Sequence, residues 1–400
     1  MRKALMLLLA ICLWSTGASA QVRVTKGMTD ASLLDVSGFK ASGTGELFRQ
    51  TLEANLVRSG WFQIITAGRA EFTVVGTAED SGGNLSVRCE AYNVITRERH
   101  FGKSYRSPSA DARQMAHRVA DEIIKALTGR EGISSTKIVM VGNRSGKKEL
   151  YICDADGQNL RQLTRDNSLS MSPKWSPDAR QIVYTSFLSF FPDVYLITLA
   201  SGERRRIANY PGLNSSAAIA PNGRELALTL SQEGSPGIYI KDLRSGRLTR
   251  LTTSRRAAEA SPSWAPDGQR LVFVSDVAGS PQLYLINRQG GDPRRITSSG
   301  AENVDPDWGS NGFIAYATRV GRQYHVCVLN PETLAFRQIS SGSGDFEDPS
   351  WAPDGRHIVC THTVNRRSRL FILDTMSDLR VSLLPDSEAG DWFSPAWSPK

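Results

Sequence analysis

The sequence predicts an all-β six-bladed β-propeller in its C-terminal part, preceded by a smaller N-terminal α/β domain. Three observations carry this: a cassette that recurs every 43–46 residues, four short apolar runs per period, and one period split between the two ends of the array. A period in this range marks a solenoid, a propeller or a repeat array.

The cassette is clearest as Ser261-Pro262-Ser263-Trp264-Ala265-Pro266-Asp267-Gly268. It returns as Ser172-Pro173-Lys174-Trp175-Ser176-Pro177-Asp178, as Pro349-Ser350-Trp351-Ala352-Pro353-Asp354-Gly355, and at the end as Ser394-Pro395-Ala396-Trp397-Ser398-Pro399. Two weaker copies fill the gaps, one around Trp308 and one with Ile219 in the tryptophan position. The anchors at 175, 219, 264, 308, 351 and 397 are therefore 44, 45, 44, 43 and 46 residues apart.

Each cassette is followed by a strand-length run such as Ile182-Val183-Tyr184 or Leu271-Val272-Phe273, rich in β-branched and aromatic residues. A third run, often built on tyrosine (Val194-Tyr195-Leu196, Leu283-Tyr284-Leu285), comes about ten residues later. A fourth closes the unit, as at Leu251-Thr252 and Ile296-Thr297. Four short strands per unit without a helical period make a propeller blade.

The ends complete the count. Ile138-Val139-Met140, Leu150-Tyr151-Ile152 and Leu163-Thr164 match strands two to four of a unit that lacks its first strand. The strand around Trp397 is available to supply it, which gives six whole blades and removes the two exposed edges an open ring would leave.

Within the cassette, Pro followed by Asp and Gly is a tight-turn sequence. Asp178, Asp267 and Asp354 therefore read as turn formers and not as catalytic carboxylates. The tryptophans read as packing between blades, since a large aromatic fills the gap between tapering sheets.

At the start, Met1-Arg2-Lys3 is a basic head, 4–14 is an apolar run and Ala18-Ser19-Ala20 is a small-residue cleavage site. Residues 1–20 are expected to be a secretory signal peptide, too short to span a membrane. A lipoprotein signal ending at Cys12 is disfavoured by the bulky Ile11 before it. Residues 21–130 have a different period and are expected to form the α/β domain, with 131–136 as linker and 137–400 as propeller. Its helices are expected over 45–59, with Leu47, Phe48, Leu52, Leu56 and Val57 on the apolar stripe, and over 110–127, with Met115, Val119, Ile123, Ile124 and Leu127 buried. Gly60 and Gly129 stand where those helices should end.

The net charge is +8, or +6 without Arg2 and Lys3, and the excess is spread over both parts. Arg204-Arg205-Arg206 and Arg255-Arg256 read as solvated turns and not as a nucleic-acid patch. Beyond the signal segment, Cys89, Cys153, Cys327 and Cys360 lack metal-type spacing, and no disulfide framework is expected. No Gly-x-Ser-x-Gly elbow, Walker loop or dinucleotide glycine pattern occurs. The five histidines are scattered; His357 and His362 flank one strand but lack a partner cluster. No cofactor or metal is expected.

What the chain offers is surface. Loops joining the fourth strand of one blade to the first of the next should gather at the mouth of the central channel. They carry Ser170, Asn214, Arg255, Arg256, Glu259, Glu302, Asn303, Asp305, Glu347, Asp348 and Asp391, with Trp392 and Phe393 expected to be exposed. An acidic rim with aromatics suits capture of a protein loop bearing basic or amide groups. The competing reading is that these acids only cap turns.

The cassette, the segment Gly146-Lys147-Lys148-Glu149-Leu150-Tyr151-Ile152-Cys153-Asp154-Ala155-Asp156-Gly157 and the terminal Pro395-Ala396-Trp397-Ser398-Pro399 resemble the TolB family, periplasmic components of the Tol-Pal system of Gram-negative bacteria. Prolyl-oligopeptidase-type enzymes carry similar repeats, and the order of domains favours the TolB family. The resemblance implies a monomeric, non-enzymatic periplasmic protein that binds the peptidoglycan-associated lipoprotein Pal at the propeller mouth. It also implies contact with TolA through the mature N-terminus, here including Val22, Arg23, Val24 and Thr25, and a role in outer-membrane integrity and constriction at division. Ile219 for Trp, Asn222 for Asp and Ala179 for Gly depart from the pattern at single turns. The alternative function is an exported hydrolase or lyase working in the channel, which would need convergent His, Asp or Glu side chains or a metal there. A carbohydrate-binding propeller would show a row of exposed aromatics on one face.

Overall fold

The computed structural model describes residues 31–400 except Ala67 and Arg255. The expected signal peptide and the N-terminal positions Val22, Arg23, Val24 and Thr25 lie outside the described residues.

The N-terminal domain is a mixed sheet covered by two helices. Its strands are β1 (Ser32–Asp35), β2 (Phe39–Ala41), β3 (Phe62–Ile65), β4 (Phe72–Ser81), β5 (Asn84–Asn93) and β6 (Arg99–Pro108). They lie in the order β3-β1-β4-β5-β6, with β2 beside β4. β1 pairs in parallel with β3 and β4, while β4, β5 and β6 form an antiparallel meander. Helices α1 (Thr44–Arg58) and α2 (Ala112–Thr128) bury Phe48, Leu52, Leu56, Val119, Ile123 and Ile124 against Leu34, Val74 and Val87.

The expected stripe on α1 is too wide. Phe48, Leu52, Asn55 and Leu56 face inward, but Leu47 and Val57 are exposed. Each lies one residue, about 100°, beyond the edge of the 48-52-55-56 row, so a helix packed by one narrow face leaves them outside.

Each of the six sheets that follow has four antiparallel strands. The innermost strands are Ser170–Trp175, Asn214–Ile219, Glu259–Trp264, Asn303–Trp308, Asp345–Trp351 and Trp392–Trp397. The last pairs with Lys137–Gly142 in the register Trp392↔Gly142 and Trp397↔Ile138, so the sixth blade is built from both ends of the array. Ser398 N donates to Lys137 O (2.8 Å), Lys137 N to Ser398 Oγ (3.0 Å), and Trp397 Nε1 to Thr136 Oγ1 (2.8 Å).

The turn reading of the cassette holds. Asp178, Asp267 and Asp354 each accept a backbone N–H two residues on, at 3.1, 2.8 and 2.9 Å. Gly268 and Gly355 take positive φ, and Ala179 adopts φ 57° in the glycine position of the variant turn. The tryptophans join blades: Trp175 Nε1 donates to Ala396 O (2.8 Å) and Trp264 Nε1 to Ala218 O (3.0 Å), each carbonyl belonging to the preceding blade.

The two domains meet through a dense polar interface. The buried Arg356 pairs with Asp374 (2.7 Å), donates to Gly60 O (2.9 Å) and lies over the Trp61 ring. Gly60, with φ 69°, ends α1, and a Cβ there would stand 2.5 Å from Arg356 Nη2, so both the helix end and the close approach require glycine. Asp121 of α2 accepts the backbone N–H groups of Ser134 (2.7 Å) and Ser135 (3.1 Å).

Candidate functional site

The six inner strands surround the channel, and all carry a bulge at the same step. Register slips between Met171 and Lys174, and at the equivalent place in each of the other five. The residues at the bulge, Ser172, Ser216, Ser261, Asp305, Asp348 and Ser394, all have positive φ, from 42° to 53°. Proline follows in five of the six and Ala217 in the other. Bulges re-aim side chains, and a left-handed non-glycine residue costs on the order of 1 kcal/mol. Six in one ring set the shape of the channel mouth. The recurring Ser/Asp-Pro step was the sequence signal for it.

These residues and their prolines line a cavity of about 70 Å³. Beyond it, toward the tryptophans, lies a wider chamber of about 350 Å³. Lys174 borders both, and its ammonium reaches from the first blade to Asp307 of the fourth, on the opposite side of the wheel (2.9 Å). Asp307 also accepts the backbone N–H of Trp351 (2.8 Å). An ion pair therefore crosses the axis beneath the mouth.

The fourth and fifth blades bring Asp305, Glu347 and Asp348 together. Burial first, then the charges of Asp348 and Glu347, push the Asp305 carboxyl up to about 8, against the opposing pull of Lys174. Burial, followed by Asp348 and Asp345, pushes Glu347 up to about 7. Ser394 Oγ donates to Asp348 Oδ2 (3.0 Å). Three carboxyls gathered beside a single lysine, which is itself paired with Asp307, form a site short of positive charge. Glu302, nearby, is already engaged by Arg319 and Tyr324.

The other expected rim residues divide. Half-buried Asp391 holds the sixth blade's loops, accepting from Ser368 N (3.1 Å) and Asn143 Nδ2 (3.2 Å). Arg256 is exposed, and Arg255 is not described. Ser170, Asn214, Glu259, Asn303 and Trp392 are not rim residues: all are buried, at the same inner-strand position five residues before the cassette anchor. There Asn214 bonds both backbone groups of Tyr210 at 2.7 Å, and Asn303 bonds Gln282 Oε1 (2.8 Å) and Ser299 O (2.9 Å). Burial raises the Glu259 carboxyl. Trp392, expected to be exposed, packs edge-on against Tyr151, 5.0 Å between centroids. At these positions the inner strand begins one to three residues earlier than loop composition suggests, so these side chains fall inside the sheet. Phe393 is half-buried and carries Lys148 over its ring (4.2 Å).

His357 and His362 do not converge. His357 Nδ1 lies 2.6 Å from Asp354 Oδ2, whereas His362 stacks on Phe346. The four cysteines are buried in separate strands, and burial pushes each thiol up, that of Cys89 to about 12. Among the described residues, one group brings three potential metal ligands together, His117, Asp154 and Asp156 at the domain interface. Its carboxylates already bind Lys137 and Arg113.

Residues 124–400 match the family model described as the TolB beta propeller domain. The chain is 33% identical over 235 residues to the Tol-Pal system protein TolB of Bordetella pertussis, covering 53% of this chain and 54% of that protein. It is 34% identical over 236 residues to the protein of the same name from Methylococcus capsulatus, covering 52% and 55%. The alignment thus spans about half the length of these curated relatives. In three dimensions it is similar to the crystal structure of TolB from Acinetobacter baumannii, with a TM-score of 0.84 and 27% identity over 94% of this chain and 98% of that one. The recurring cassette, the ring closed by the C-terminal strand and the family match over most of its length agree: the chain belongs to the TolB β-propeller family.

Proposed function

We propose that this chain is a periplasmic docking protein of the Tol-Pal envelope system. It holds the peptidoglycan-associated lipoprotein Pal at the propeller mouth and TolA through its mature N-terminal segment, and so supports outer-membrane integrity and constriction at division. The kinship with proteins named Tol-Pal system protein TolB supports the setting. The observation that carries the docking role is the Asp305, Glu347 and Asp348 cluster at a mouth that opens onto a cavity of only about 70 Å³. The mouth cavity is well below the roughly 300–1,000 Å³ of small-molecule pockets, and the chamber of about 350 Å³ beneath it is crossed by the Lys174–Asp307 pair, so the acidic entrance suits the tip of a partner's loop. A lysine, arginine or amide group on that loop would offset the negative charge of the cluster or add to its hydrogen bonds.

The test is binding of the soluble domain of Pal to the chain and to its Asp305→Lys/Asp348→Lys variant. Loss of binding with an unchanged melting temperature is expected. Equal affinity would reject the mouth as the docking site. Because these positions are enclosed, Asp305→Asn/Asp348→Asn serves as the milder pair, expected to weaken binding without placing new cations in the channel.

A further inference from the structure

The most exposed aromatic surface among the described residues is not in the acidic cluster. It is the loop 187–192 on the first blade, where Phe190 and Phe191 are 93% and 71% exposed beside exposed Leu188. Two adjacent phenylalanines are held out in water where no other described phenylalanine, tyrosine or tryptophan is more than 45% exposed, and such a patch marks an interaction site.

The loop is held in place and not merely loose. Phe190 N donates to Phe187 O (2.9 Å), Leu188 N to Ser186 Oγ (3.2 Å), and Asn214 N to Pro192 O (3.2 Å). Ser189 Oγ bonds Tyr195 OH (2.7 Å) and accepts from Arg206 (3.3 Å). Phe190 itself has φ 71°, a conformation unfavourable for a bulky residue, which the surrounding bonds enforce and which turns the rings outward.

Position identifies the occupant. Ser186 pairs with Ser170 at the entry of the inner strand, and Phe187 N bonds Leu169 O (3.0 Å), so the loop rises from the same face of the wheel as the mouth. Exposed Met171 bridges the two, since its neighbour Ser172 lines the channel. Of the cations on the strand at the base of the loop, Arg204 and Arg206 are paired with Asp166 and Asp193 and only Arg205 stands exposed between them, well short of the cluster of basic residues that holds a protein to an anionic bilayer.

We propose that Phe190 and Phe191 form a preformed aromatic anchor that enters an apolar socket on the same protein partner whose basic or amide loop meets Asp305, Glu347 and Asp348. This rests on the docking reading above and enlarges it. Because the loop is already ordered, seating it costs little conformational entropy, and rigid aromatics of this kind dominate interface affinity.

Calorimetric titration with the soluble domain of Pal tests it. Phe190→Ser/Phe191→Ser is expected to weaken binding about 30-fold or more, the range of a hot spot, with the melting temperature unchanged because both rings are outside the core. Phe190→Leu/Phe191→Leu should recover most of the affinity. Equal affinity of the serine pair and the unaltered chain would overturn the anchor alone. Failure of the unaltered chain to bind Pal would overturn the docking reading and the anchor with it. If the serine pair changes only co-sedimentation with phosphatidylglycerol vesicles, lipid is the occupant and the proposal fails.

Discussion

Replacing Trp397 with alanine probes ring closure directly. The indole is buried on the strand that completes the sixth blade, within a cluster containing Ile133, Ile138, Cys153 and Ala352. Its Nε1 donates to Thr136 Oγ1 (2.8 Å), and its backbone N–H donates to Ser350 Oγ of the fifth blade (3.2 Å). Truncating a buried tryptophan costs about 3–5 kcal/mol. Thr136 Oγ1 keeps its bond to Ile133 O (2.5 Å), so no donor is stranded and the cavity dominates. For a propeller of about 260 residues, where 1 kcal/mol shifts the melting temperature by roughly 2 °C, that should lower it by roughly 5–9 °C. Deleting residues 395–400 should cost more, because it also removes the pairing of Ala396 with Val139 and of Trp397 with Ile138. Differential scanning calorimetry of both variants decides the matter. A truncated chain that melts within 1–2 °C of the full one, against a loss of roughly 5 °C or more expected at about 2 °C per kcal/mol, would mean that the terminal strand does not hold the wheel together.

Further expectations concern charge. Because the Asp305 and Glu347 carboxyls are raised above their unfolded values, the folded state holds protons that the unfolded state releases, so their stabilising contribution falls as pH rises from about 4 through 7–8. The change in melting temperature on Asp305→Asn/Asp348→Asn should therefore be more favourable at pH 8 than at pH 5, as paired thermal melts will show. For the same reason, a cationic partner loop that lowers these carboxyls should drive proton release on binding near neutral pH, seen as a dependence of binding enthalpy on the buffer's ionisation enthalpy. At the domain interface, burial works against ionised Asp374, but hydrogen bonds from Arg356 and Ser377 outweigh it and hold the carboxyl down at about 2. Arg356→Met leaves that carboxylate without its buried partner and should cost about 3–5 kcal/mol in urea unfolding. The stability from a depressed carboxylate is present above its unfolded value and lost as pH falls toward 2, so the variant should also lose less on acidification between pH 4 and 2. Deleting residues 22–30 should abolish TolA binding while leaving the melting transition intact, and retained binding in a pull-down would refute the N-terminal assignment.

The wheel was legible in the sequence because what specifies it is local and repeated. Six tryptophan or isoleucine anchors, a turn after each and alternating apolar runs dictate four strands per unit, and a unit lacking its first strand at one end can be completed only by the strand left over at the other. That Asp305, Glu347 and Asp348 lie close together was legible for the same reason, since charge just before successive cassettes falls at one end of neighbouring inner strands. Tertiary structure decided the rest. Whether a residue at the start of an inner strand is rim or core depends on what folds over it, and Trp392 under Tyr151, Asn214 bonded to Tyr210 and Asn303 bonded to Gln282 proved to be buried. Lys174 and Asp307 are 133 residues apart and meet only because the ring closes. The loop that carries Phe190 is held on either side of it by bonds from Arg206 and Tyr195 to Ser189 and from Asn214 to Pro192. Periodicity is written into the chain by short-range geometry, whereas exposure and pairing across the axis exist only once distant strands have been brought together.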